Sequence, residues 1–324
     1  MTEASAELEP APTDEPGFLA RMLRASGLVL VVMLAPALIV GSLLGGVAGM
    51  AIPFGMMGGI FASTGDGRLA ARALFPIVVV GGALAAFTLG SWWWVALLVV
   101  LGALIGYLTA LGRAIAIIEV CIVVTSSDKV NTVRDLILYT VFLAAGYVAG
   151  VFVGKAMGAP VIIRRPVLAH IDPMRASILG ALSLGTAGAI AIATGWQKGY
   201  WLPMIFLILL EFLVVEEQGG RMVWFRIIGT LLGIGIIVPL LSQLAVPLQL
   251  VAFLLLVGAG LVLVSSRYWL ASAFLTAAVV IVSSLGRDVT AIGQERLWAT
   301  VWAALLVGGV AAAMSWVRRA PRPA

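Results

Sequence analysis

Charge is what this sequence has least of. Only 11% of its 324 residues are Asp, Glu, Lys or Arg, where soluble domains carry about a quarter. With 62% hydrophobic residues and a mean hydropathy of +1.13, there is too little polar surface to cover a water-soluble globule. Lipid must therefore be the solvent for most of the chain. A single cysteine, Cys121, lies within an apolar run and excludes a disulfide framework. A single histidine, His170, has no partner for a metal site, and no metal or cofactor is expected. No P-loop, no zinc-type His-Glu-x-x-His and no Ser/His pair within an apolar run is present, so ATPase and hydrolase chemistry is excluded and the chain is not read as an enzyme. The first 16 residues lack any base and hold Glu3, Glu7, Glu9, Asp14, Glu15 and three prolines. That composition excludes a cleavable signal peptide, which starts basic, and reads as a disordered acidic tail over 1–24.

What is present is a series of long apolar runs. A helix needs about 20 apolar residues to cross the hydrocarbon. Breaking the sequence at charges, prolines and glycine clusters gives spans at 27–47, 50–63, 72–90, 92–112, 114–127 and 134–154, then at 175–195, 199–215, 222–244, 248–265, 268–285 and 297–317. With the N-terminus inside, fifteen of the 20 Lys and Arg residues fall on inside segments. This is the asymmetry that orients membrane proteins, so the pI near 9.8 points to topology and not to nucleic acid. Twelve spans with both ends cytoplasmic follow.

The two halves repeat. "LRAS" at 23–26 matches "MRAS" at 174–177, "GRLAAR" at 67–72 matches "GRMVWFR" at 220–226, and the run ending at Arg113 matches the run ending at Arg267. The expected fold is an all-α integral membrane protein with twelve transmembrane helices in two parallel six-helix repeats, 25–157 and 175–317. Residues 158–174 form a cytoplasmic linker and 318–324 a basic cytoplasmic tail. An even number of spans per unit makes the repeats parallel, which places a pathway at the interface between the halves.

One stretch breaks the apolar pattern. "RIIGTLLGIG" (226–235) sets Arg226, Gly229, Thr230 and Gly233 on one helical face. Gly229 and Gly233 form a Gly-x-x-x-Gly pair suited to close helix packing, and Thr230 can hydrogen-bond across that contact. The stripe is expected to face inward with a positively charged mouth. Arg72 and Arg226 occupy matched positions, as do Arg113 and Arg267, and the four are the candidate cationic lining for an anion pathway. Two acids also fall within spans. Glu119 and Glu211 cost at least about 2.5 kcal/mol each to insert and are the candidates for proton coupling, with Glu119 leading.

Arg226-x-x-Gly229-Thr230-x-x-Gly233, preceded by "GYWLPMIFLILLEF" (199–212) and followed by "ERLWATVWAALLVGG" (295–309) with its Arg296 and Thr300, resembles the fusaric acid resistance and aromatic acid exporter family. The likeness covers roughly 175–317 well and the first half weakly. Glu211 and Phe212 stand where the family usually has Gln-Pro, and in the first copy Phe75, Pro76 and Val79 replace Gly229, Thr230 and Gly233. The resemblance implies efflux of small aromatic or other organic acid anions across a bacterial inner membrane, often with a periplasmic adaptor protein as partner. It also implies kinship with plant aluminium-activated malate channels, in which six-helix subunits pair around an anion pore. The expectation is a proton-coupled exporter. The rivals are a passive channel-like anion pathway and a non-transporting membrane subunit of an efflux complex.

Overall fold

The structure, a computed structural model, describes residues 17–63, 68–110, 130–156, 172–196, 198–215, 219–264, 266–284 and 288–319. Among these residues every regular element is a helix. The first, α1, runs Phe18–Val29, passes through a π-helical turn at Leu30–Leu34 and continues as Ala35–Leu44. There follow α2 (Gly46–Ser63), α3 (Arg68–Thr88), α4 (Trp92–Ala110) and α5 (Val133–Ala156). The second half holds α6 (Pro173–Ala193) and α7 (Trp201–Val215). Next comes α8, Gly219–Leu232, which continues through a π-helical turn at Gly233–Ile237 into Val238–Leu241. The last three are α9 (Val246–Leu263), α10 (Tyr268–Ser283) and α11 (Val289–Arg319). Eleven expected spans thus coincide with helices; the twelfth, 114–127, lies outside the described residues together with Arg113, Glu119 and Cys121.

Among the described residues, six stretches are long and apolar enough to cross a membrane: Phe18–Leu44, Val133–Lys155, Pro173–Ala193, Arg221–Leu241, Val246–Leu263 and Val289–Ala312. Shorter apolar helical stretches cover Ala48–Ile60, Leu74–Thr88, Trp92–Leu104, Trp201–Leu210 and Tyr268–Ser283. Helix starts follow local polar chemistry. The Asp172 carboxylate accepts from the Met174 N–H at 2.8 Å, with Pro173 at the first helical position. Asp288 accepts from the Thr290 N–H at 2.8 Å. That cap starts α11 at Val289, well before the expected 297, and so moves Arg296 out of a loop and onto a helix. At the other end of the chain, α1 begins at Phe18, within the segment expected as tail. Gly45, with φ 102°, allows the abrupt reversal between α1 and α2, a conformation that a Cβ disfavours.

Glycine stripes set the neighbours. A Cβ added at Gly55 or Gly59 of α2 would strike the Leu143 or Tyr147 carbonyl of α5, and one at Gly146 or Gly150 of α5 would strike Ile52 or Met56 of α2. The numbers rise together, so α2 and α5 run parallel with backbones touching. Between the halves, Gly102 and Gly106 of α4 press on the Gly180 and Ala176 carbonyls of α6 in antiparallel sense. The other cross-half contact has the same form. Gly258 of α9 packs on Ser26 of α1, whose hydroxyl donates to the Leu254 carbonyl at 3.0 Å. Against these seams lies α7, whose Trp201, Leu202, Ile205, Phe206, Leu207 and Leu209 are fully buried.

Candidate functional site: a buried arginine–threonine seam

Three helices of the second half each turn a polar i, i+4 set inward. From α8 come Arg226 and Thr230, from α10 come Tyr268, Ser272 and Thr276, and from α11 come Arg296 and Thr300. A spacing of four places each set on one helical face, and the glycines bring those faces together. A Cβ at Gly229 would meet the Trp269 carbonyl and lie 2.6 Å from Ser272 Cβ. One at Gly233 would lie 2.6 Å from the Ala273 carbonyl oxygen and 3.3 Å from Thr276 Cβ. The Gly-x-x-x-Gly pair read from the sequence therefore seats α8 against α10. Immediately beyond Thr230 the π-helical turn Gly233–Ile237 widens α8, a local feature frequent at functional sites.

Across the seam the Thr230 and Thr300 hydroxyls stand 3.5 Å apart. The Thr300 hydroxyl donates to the Arg296 carbonyl at 2.9 Å, and the Ser272 hydroxyl donates to the Arg226 carbonyl at 3.4 Å. The two guanidiniums are what set this seam apart. Arg226 is 4% exposed and Arg296 is 2% exposed. They act electrostatically on each other and on the Tyr268 hydroxyl. Arg296 also lies over the Trp201 ring, 5.0 Å from Cζ to centroid, within the range of a cation–π contact. Tyr200 meets the Trp201 ring edge-on at 6.1 Å.

Among the described residues no carboxylate faces either guanidinium, and Arg226 Nε, Arg296 Nε and Arg296 Nη1 have no hydrogen-bond acceptor. A buried charge is costly unless paired and hydrogen-bonded. Arg226 and Arg296 are two such buried cations, without a carboxylate partner among the described residues. The nearest acid in sequence, Glu295, faces elsewhere: its Oε2 accepts from the Lys198 N–H at 3.0 Å and ties the turn before α7 to α11.

The other expected site residues are placed unevenly. Arg226, Thr230, Gly229 and Gly233 come together as the stripe predicted. Arg267 is exposed ahead of α10. Arg72 lies on α3 and Glu211 on α7, but their side chains are outside the described residues, as are Arg113 and Glu119 altogether. Arg296 and Thr300 had entered only through the family motif. The signal that would have found them is the Asp288 cap, which makes Arg296-x-x-x-Thr300 a helical pair matching Arg226-x-x-x-Thr230. The buried guanidiniums lie within the second half, whereas the described contacts between the halves pair glycines with Val95, Leu98, Val99 and Leu184 as well as with Gly180 and Ala176.

The apolar helices and this cationic seam define a multi-pass helical membrane protein. A family model described as fusaric acid resistance protein-like matches residues 185–310, so the resemblance is shown for the segment that carries every residue of the seam. No curated protein and no solved structure matches the chain.

Proposed function

We propose that this protein exports small organic acid anions, aromatic ones among them, across a bacterial inner membrane in which both of its termini are cytoplasmic. The observation that carries the reading is that Arg226 and Arg296 are both buried at membrane-helix depth without a carboxylate among the described residues. A purely structural arginine in such a place pairs with an acid or backbone carbonyls; a transporter leaves the positive charge for its cargo. The matched segment supports this, since fusaric acid is itself an aromatic acid. Arg72, Arg113 and Arg267 form the cationic approach on the cytoplasmic side, with Thr230 next to the anion.

Coupling to protons falls to Glu119, with Glu211 second, because a carboxylate within a span can cross the field neutral and return charged. The repeat reading is supported by the contacts between halves. The first helix of each half, α1 or α6, crosses the fourth of the other, α9 or α4, an exchange that a twofold along the membrane normal would produce. A periplasmic adaptor is the proposed protein partner.

The test is flux of benzoate in vesicles holding the purified chain, with and without a pH gradient. Gradient-driven flux that Arg226→Gln removes supports the exporter. Flux unchanged by collapse of the gradient replaces coupling with a passive anion pathway. No acid movement in folded protein leaves a non-transporting subunit. Glu119→Gln is expected to uncouple flux from the gradient while the protein still accumulates in the membrane.

A further inference from the structure

Among the described residues of the second half, most of the buried polar atoms that find no partner are donors. Arg226 Nε, Arg296 Nε and Nη1, and Trp201 Nε1 are donors that cannot accept, Thr276 Oγ1 adds an O–H, and the Tyr268 hydroxyl beside Arg226 is the neutral group nearby that can also accept. Their side chains are sealed from solvent: Arg226 at 4%, Arg296 at 2%, and Thr276 and Trp201 at 0% exposure. Each buried donor without an acceptor bears its full desolvation cost. A molecule that completes the set must bring several oxygen acceptors and negative charge, and the Trp201 face offers its body an apolar wall. Among the described residues of the first half, Trp94 Nε1 is the one donor of this kind. The first half's positions matched to Gly229, Thr230 and Gly233 are Phe75, Pro76 and Val79. There Phe75 packs edge-on to Tyr147 at 5.4 Å between centroids, and Val79 is 5% exposed.

We propose that the second half by itself builds a carboxylate site among α7, α8, α10 and α11, so that one chain binds one anion instead of two related by the duplication. Arg226 and Arg296 bind the carboxylate, Thr276 donates to one of its oxygens, and the Trp201 ring covers the attached body. The ligand class rests on the transport reading above; the site and its count do not. A free anion fits better than a lipid headgroup, because neither guanidinium reaches the outer surface where acyl chains would have to remain.

The test is equilibrium binding of benzoate to the purified full chain in detergent, alongside thermal melting with benzoate, inorganic phosphate or phosphatidylglycerol added. One equivalent of benzoate per chain is expected, with a raised melting midpoint. Arg226→Gln and Arg296→Gln should each weaken binding about ten- to a hundredfold, as expected for loss of a charged hydrogen bond. Thr276→Val and Trp201→Phe should weaken it severalfold while melting as cooperatively as the parent, which keeps the site testable if an arginine variant fails to fold. Two equivalents per chain, or undiminished affinity in the folded variants, overturns the proposal. So does a midpoint raised by phosphatidylglycerol and by neither small anion. Binding of one benzoate with no flux in vesicles retires the exporter and leaves the site standing. Normal flux with two equivalents does the reverse.

Discussion

The third helices of the two halves start alike and then diverge in what they bury. On α8, Gly229, Thr230 and Gly233 bring Ser272 and Thr276 of α10 and Thr300 of α11 into a polar seam around two guanidiniums. On α3, Phe75 and the buried Val78 and Val79 close the space with apolar side chains, with Phe75 against Tyr147 and Val78 Cγ1 against Gly58. Both halves use glycine to bring backbones into contact. Among the described side chains, the second half places polar ones at that contact and the first half apolar ones. Apolar packing stabilises at no desolvation cost, whereas unpaired buried charge destabilises until something offsets it. Stability alone would therefore have favoured the first arrangement in both halves, and the proposed anion site accounts for the second.

The comparison can be broken most forcefully by removing both cations. The double variant Arg226→Gln/Arg296→Gln should lose at least about a hundredfold in acid flux, equivalent to roughly 3 kcal/mol at the upper end for charged hydrogen bonds. Phe75→Leu in the first half should leave flux per folded molecule near the parent's. Equal losses from the two would mean that the halves are functionally alike.

Glycine contacts give the next effect. Gly229→Ala puts a Cβ against the Trp269 carbonyl, and Gly59→Ala puts one against the Tyr147 carbonyl, each an overpacking that costs about 1–3 kcal/mol. Both should lower the melting midpoint in detergent, but only Gly229→Ala should also lower flux per folded molecule. A flux defect from Gly59→Ala would extend the pathway into the first half.

Thr276→Val removes a buried hydroxyl without an acceptor. The midpoint of the unliganded protein should stay level or rise, while anion affinity falls severalfold. A clear drop in stability without ligand would assign the hydroxyl to packing. Smallest is Arg267→Gln. At an exposed position its effect on stability should stay within about 0.5 kcal/mol. Any loss of flux should appear at low ionic strength and vanish near physiological salt, where the Debye length is about 8 Å. A loss that survives high salt would place Arg267 deeper in the path than its exposure suggests.

Helical content and the inward stripe of α8 were legible because they rest on periodicity: apolar run length, and side chains four apart on one face. The glycine pair was legible for the same reason, since a neighbour can approach only where side chains are small. The start of α11 was not read correctly, because charges at Arg287, Glu295 and Arg296 look like a loop until the Asp288 carboxylate is seen to cap the first turn. Burial of Arg296 followed from that cap and from the Trp201 ring beside it, a contact nearly a hundred residues apart that no local pattern carries. Trp92 and Trp93 are exposed as interfacial anchors would be, whereas Trp94 and Trp201 are in the core.

The sequence by itself determined that lipid is the solvent, that helices are the elements, and that one face of α8 is small and polar, because composition and spacing act within a single segment. Which helices that face meets, and that two arginines seventy positions apart share one buried seam without an acid among the described residues, only the tertiary structure decided. Packing of distant helices sets which charges lose water together, and desolvation is what makes an ordinary surface arginine costly until it is paired.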